Sequence, residues 1–226
     1  MKLEIVTTTL DETLLAKEAG ADRVELVSGI TEGALTPTYG SLKGIWQHAG
    51  VAAYCMIRPH NHGFVYSEHD IEEMIADIQN LKGMADHFVL GCLKEDRTID
   101  EEHLQRLLEA CGDTPVVFHK ALDQTVDQMA ALRTLARYPQ IKRVLSNYQA
   151  KRIDQELPRL QQMMNYALSL GLQTTFAGGI QLETLPLLAQ IGATDVHISS
   201  AARIEGKAAN LLDPQRIRQF RQACDQ

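Results

Sequence analysis

The stretch SLGLQTTFAGG (169–179) decides the fold. Its first residues end an amphipathic helix at a glycine, which takes the left-handed backbone that stops a helix at little cost. A short apolar run follows and closes on a Gly-Gly pair. That run reads as a buried strand. The same succession, helix end at Gly or Pro and then strand, returns at KEAGADRVEL (17–26), LKGMADHFVLG (81–91), ACGDTPVVFHK (110–120), RYPQIKRVLS (137–146) and QIGATDVHIS (190–199). LEIV (3–6) and AAYCMIR (52–58) complete the series. Strands are therefore predicted to start near residues 3, 23, 52, 87, 116, 142, 173 and 195.

Between them, residues 11–19, 67–81, 100–110, 125–136, 154–169 and 181–190 carry apolar side chains at three- and four-residue spacing, the helical period. Asp11, Ser67 and Asp100 stand where N-caps are expected, each before acidic first-turn residues. Pro186 is expected to shorten or kink the seventh helix. The chain has 226 residues, about 28 for each of eight β/α units, and no Pro-, Gly- or Ser-rich linker divides it. The fold class is α/β, and the expected architecture is a single (β/α)8 TIM-type barrel over residues 1–226. An open doubly wound sheet is the alternative, but the Gly-rich phosphate fingerprint after strand one is missing.

Lys plus Arg number 22 and Asp plus Glu 29, a net charge of −7. That balance disfavours nonspecific binding to nucleic acid. No run of about 18 apolar residues offers a membrane span, and MKLEIVTTTL lacks the apolar core of a signal peptide. A cytoplasmic protein is expected, and a homo-oligomer. Cys55, Cys92, Cys111 and Cys224 are scattered without a CxxC pair. They fit reduced thiols in a cytosolic chain.

Strand alternation then sorts the side chains. If Leu3, Ile5, Val24, Leu26, Val116, Phe118, Val196 and Ile198 pack outward on helices, the opposite parity points into the barrel. The inward set includes Glu4, Glu25, Arg58, His119, His197 and Ser199. Most lie late in their strands, at the end where barrel enzymes carry their sites. Unpaired charges there are costly, so they imply either a site or a structural network in which Arg58 bridges Glu4 or Glu25. As a site, Glu25 or His119 serves as general base or acid, Arg58 holds an anion, and Asp123 orients His119. Loops after the seventh and eighth strands of such barrels commonly bind phosphate. Gly178, Gly179, Ser199 and Ser200 are therefore the candidate anion-binding residues. His60, His62 and His197 are the candidate metal ligands. The expected partner is a small-molecule anion or a metal ion.

ADRVELVSGITEGALTPTYG (21–40), MIRPHNHGFVYSEHDIEEMIADI (56–78), FVLGCLKEDRTID (88–100), VVFHKALDQ (116–124) and AGGIQ (177–181), in this order, resemble the CutC family. The resemblance implies a cytoplasmic (β/α)8 barrel associated with copper homeostasis, and makes copper the candidate cofactor. Glu4, Glu25, Arg58, His119, Asp123 and Gly178-Gly179 match the family pattern. Thr7 and Val27 stand where the family has cysteines, the natural ligands for soft Cu(I). Any copper site here would therefore draw on His60, His62, His119 or His197. The competing reading is an enzyme acting on a small anionic or phosphorylated substrate at the C-terminal barrel face.

Overall fold

Leu3, Ile5, Val24 and Leu26 are fully buried, and Glu4 and Glu25 alternate with them, so both faces of these strands are covered. The structure, a computed structural model describing residues 1–226, joins eight parallel strands into a closed barrel. They are β1 (Lys2–Thr7), β2 (Arg23–Leu26), β3 (Ala52–Met56), β4 (His87–Leu90), β5 (Val116–Phe118), β6 (Ile141–Ser146), β7 (Gln173–Ala177) and β8 (Asp195–Ile198). β8 pairs back to β1, with His197 beside Glu4 and Ile198 beside Ile5. The strands are followed in turn by α1 (Leu10–Glu18), α2 (Tyr39–His48), α3 (Glu68–Leu81), α4 (Glu101–Cys111), α5 (Gln128–Leu135), α6 (Ile153–Ser169), α7 (Leu185–Gln190) and α8 (Pro214–Cys224). This is the (β/α)8 barrel that the repeating pattern predicts.

The sheet separates two apolar cores. The larger lies between strands and helices and includes Leu3, Ile5, Val24, Leu26, Phe88, Phe118 and Phe176. The smaller lies inside the barrel: Val6, Val27, Tyr54, Met56, Val89, Val117, Leu145 and Ala177. The interior is not filled by apolar residues alone. Toward the strand starts, Arg23 donates from Nε to Glu4 Oε2 at 2.5 Å and from Nη1 to Asp195 Oδ1 at 2.6 Å. Its Nη2 donates to Thr175 Oγ1 at 3.1 Å, and Arg143 Nη1 lies 2.8 Å from Asp195 Oδ1. Removing one partner of such a buried pair typically costs about 3–5 kcal/mol, because the other charge is stranded.

This network corrects one expectation. Arg58 bridges neither Glu4 nor Glu25; Arg23 holds Glu4. The helix starts also differ in one place. Ser67 and Asp100 cap α3 and α4, as expected. α1 is capped by Thr9, whose hydroxyl accepts from the Glu12 N–H at 3.1 Å, and Asp11 lies inside the helix. Pro186 falls in the first turn of the six-residue α7, where an N–H would have no helical partner. The segment before it, Leu182–Thr184, winds as a 3₁₀ turn instead of extending the helix.

Candidate functional site

The C-terminal ends of the strands surround a cavity of about 300 Å³. β2 sends Glu25 into it, β8 sends His197, and the segments after β3 and β5 supply Arg58, His119 and Lys120. The turns after β7 and β8 supply Gly178, Gly179, Ser199 and Ser200. The volume is at the lower end for small-molecule sites.

Two carboxylates and an imidazole meet on one side. His197 Nδ1 donates to Glu4 Oε1 at 2.7 Å and lies 3.9 Å from Glu25 Oε2. Burial would raise the Glu4 carboxyl, but Arg23 and His197 outweigh it and hold the pKa at about 2. Glu25 lacks that support. Burial pushes it up to about 7, with the Glu4 charge adding to the rise and His197 opposing it. Its Oε2 is buried without a hydrogen-bond partner. Burial disfavours a charged imidazole at His197, but Glu25 and Glu4 together raise its pKa.

His119 is the opposite case. Burial, with Arg58 nearby, depresses its pKa to about 3, so the ring is neutral. Nδ1 accepts from the Ala121 N–H at 3.3 Å, which places the ring proton on Nε2. That Nε2 is buried and has no acceptor within the chain. Arg58 stacks over Phe64 at 4.7 Å and donates from Nη1 to the Gly33 carbonyl at 2.5 Å. The guanidinium also lies beside the buried Tyr66 hydroxyl.

The turns after β7 and β8 present donors. Gly178 and Gly179 have φ of 93° and 74°, a left-handed backbone that suits glycine and keeps the wall free of side chains. The N–H groups of Gly178, Gly179, Ile180 and Ser199 make no hydrogen bond to the backbone. Lys120 Nζ, paired with Asp123, lies close to Gly178.

Two expected relations do not form. Asp123 does not orient His119: it pairs with Lys120 and accepts from the Ser146 hydroxyl. His60 and His62 do not join His197 in a metal-donor cluster. They stack on each other at 5.1 Å, and His60 lies 3.5 Å from Asp70. The donor set that converges is Glu4, Glu25 and His197, with one donor atom each within 4.8 Å of one another. The Arg23 guanidinium on Glu4 and the Glu4–His197 hydrogen bond oppose a cation there. The four cysteines are free and buried in the outer core, and burial pushes each thiol up, Cys111 to about 12.

Sequence reasoning missed Arg23, Arg143, Asp195 and Lys120. Arg23 and Asp195 share the inward parity of Glu25 and His197, so alternation could have found them. Lys120 lies in the 3₁₀ turn after β5, where period-two alternation has ended.

Comparison with known proteins places the chain. Residues 1–202 match the CutC family. A CutC family protein of Photorhabdus laumondii is 34% identical over 204 residues, covering 90% of this chain and 81% of that protein. A human protein named copper homeostasis protein cutC homolog is 36% identical over 200 residues, covering 88% and 72%. The crystal structure of CutC from Streptococcus agalactiae superposes with a TM-score of 0.79 at 27% identity, covering 87% of this chain and 97% of that one. On the sequence match and the shared barrel, the chain belongs to the CutC family.

Proposed function

We propose that this chain has the role in copper homeostasis named for its human relative, and that it acts through the barrel-mouth cavity and not by thiolate coordination of Cu(I). Family membership supports the role. The observation that carries the second half is the placement of the cysteines. Soft Cu(I) needs convergent thiolate or thioether donors. Here every cysteine is buried outside the barrel interior, and none belongs to the donor cluster. Residues Thr7 and Val27 hold the positions where the family resemblance places cysteines. A cytoplasmic location belongs to this reading, since free thiols persist in a reducing compartment. The test is an anaerobic Cu(I) titration against a chromogenic chelator. The protein is expected to leave the chelator loaded. Stoichiometric transfer of Cu(I) to the protein overturns the second half, and unchanged copper tolerance in a cell lacking the chain overturns the role.

A second reading is favoured by the donors at the cavity wall. The unpaired N–H groups at Gly178, Gly179, Ile180 and Ser199, with Arg58 and Lys120, suit a small anion such as a phosphate group. On this reading the chain is a barrel enzyme for a small anionic or phosphorylated substrate. Calorimetry with inorganic phosphate tests it. Binding is expected, and Arg58→Gln should weaken it about tenfold, the loss of one charge-assisted hydrogen bond. An absence of phosphate binding sinks this reading.

A further inference from the structure

We infer that the anion held in this cavity is the phosphate group of a monoester with a small apolar body, and that His197 donates to it from Nε2. The inference rests on the second reading above, that the cavity holds an anion, and names for it a side chain and a ligand class.

Strand register sets His197 beside the turns that present free N–H groups. His197 pairs with Ala177 across β7 and β8, next to the Gly178-Gly179 turn, and Ser199 follows it two residues on. Both nearby carboxylates approach the ring at Nδ1, Glu4 at 2.7 Å and Glu25 at 3.9 Å. Arg23 in turn holds Glu4. The ring is therefore oriented, with its Nε2 edge turned away from the carboxylates. His197 is only 9% exposed, yet Nε2 has no hydrogen-bond partner within the chain and stays open on the cavity side. Burial opposes a charged ring, but Glu25 and Glu4 outweigh it and favour the imidazolium, so Nε2 carries a proton to donate. A charged donor beside free backbone N–H groups suits a phosphate oxygen. Lys120 is less free for that task, because Asp123 is its partner.

The other walls specify what the phosphate is attached to. Val6, Met56 and Leu145, from β1, β3 and β6, belong both to the apolar core inside the barrel and to the cavity wall. Ile30 and Ala34, from the segment after β2, pack on that core and line the cavity as well. Donors thus gather on the β7–β8 side, and apolar side chains cover the sides across from it. A polyol body would bury hydroxyl groups against those side chains without partners, and each would cost free energy. An apolar body gains by leaving water. A cavity of about 300 Å³ limits that body to a single ring or a short chain.

Calorimetry on the full chain compares inorganic phosphate, glycerol 3-phosphate and phenyl phosphate. Phenyl phosphate should bind about tenfold more tightly than the other two, the effect of burying roughly 60 Å² of apolar surface. Equal affinities, or a preference for glycerol 3-phosphate, overturn the apolar body and leave the anion reading standing. Diethyl pyrocarbonate, which acylates open imidazole nitrogens, reads His197 in the unaltered protein when the modified peptides are mapped by mass spectrometry. Phenyl phosphate at ten times its Kd should slow modification of His197 about tenfold by mass action. The exposed His48 and His69 should react as before. A His197 that is unreactive without ligand, or equally reactive with it, overturns its role. His197→Gln, checked for fold by circular dichroism, should bind phenyl phosphate about tenfold more weakly, the loss of one charge-assisted hydrogen bond. Unchanged affinity in the folded variant overturns the role too, and if the variant does not fold, protection in the parent decides. If none of the three probes binds, the anion reading itself falls.

Discussion

Glu25 is a carboxyl group kept where the fold would be more stable without its charge. Four charged or titratable groups face it: Glu4 from β1, Arg23 from its own strand, Tyr54 opposite it on β3, and His197 from β8. Burial dominates and raises its pKa from 4.5 to about 7. The folded chain thus binds this proton more tightly than the unfolded chain does. The contribution to stability is full below about pH 4.5 and is lost as pH rises through about 7. Glu25→Gln should therefore be more stable than the parent at pH 8, by on the order of 1 kcal/mol, and no more stable at pH 4. Thermal melts at the two pH values check this, and an equal shift at both would refute it. Strand alternation made Glu4, Glu25, His119 and His197 legible in advance, because a period of two assigns a face without knowledge of neighbours. It could not assign partners. Arg58 has a long side chain at the start of a loop, and its guanidinium turns to Phe64 and Gly33. Arg23, at the start of its strand, reaches the carboxylates instead.

Among the elements, the strands were the more legible part, since a helix ending at Gly or Pro before a short apolar run marks six of the eight. Two helices were not singled out. α2 (YGSLKGIWQH) contains two glycines, and α8 (PQRIRQFRQAC) is dominated by Arg and Gln, so both are poor in apolar residues, although Ile217, Phe220 and Cys224 line one face of α8. Packing against the barrel holds them helical, with Leu42 and Ile45 of α2 and Ile217 and Phe220 of α8 buried. The start of α1 shows how a cap can be misread. Thr9 and Asp11 both suit the N-cap position, and acidic residues also favour the first turn. The structure gives the cap to Thr9 and leaves Asp11 exposed. Thr9→Ala should cost about 0.5–2 kcal/mol in urea unfolding, the usual loss for an N-cap threonine. Asp11→Ala should stay within about 0.5 kcal/mol of the parent, as an exposed first-turn charge. The reverse order would return the cap to Asp11.

At the scale of the whole molecule, the family match ends at residue 202, but the barrel does not. α8 packs against β1, α1 and α7 and buries Ile217, Phe220 and Cys224. It also holds the turn after β8: Arg216 Nε donates to the Ala201 carbonyl at 2.7 Å, and the Asp213 N–H donates to the Ala202 carbonyl at 2.9 Å. That turn carries Ser199 and Ser200 to the cavity. Burying Ile217 and Phe220 contributes roughly 1.5–3 kcal/mol each. Their sum is a large share of the 5–15 kcal/mol typical of a folded domain, which is about all that separates it from the unfolded chain. A chain ended after Asp213 should therefore show no cooperative unfolding transition by circular dichroism. Phe220→Ala gives the graded version, because it leaves the helix in place and opens only its core contact. It should lose about 3–5 kcal/mol. If α8 also sets the turn after β8, the surviving folded fraction should bind inorganic phosphate more weakly than the parent. A shortened chain that unfolds cooperatively at the parent midpoint would show that seven helices suffice to close this barrel. Phosphate affinity unchanged in Phe220→Ala would show that the turn holds its shape without α8 behind it.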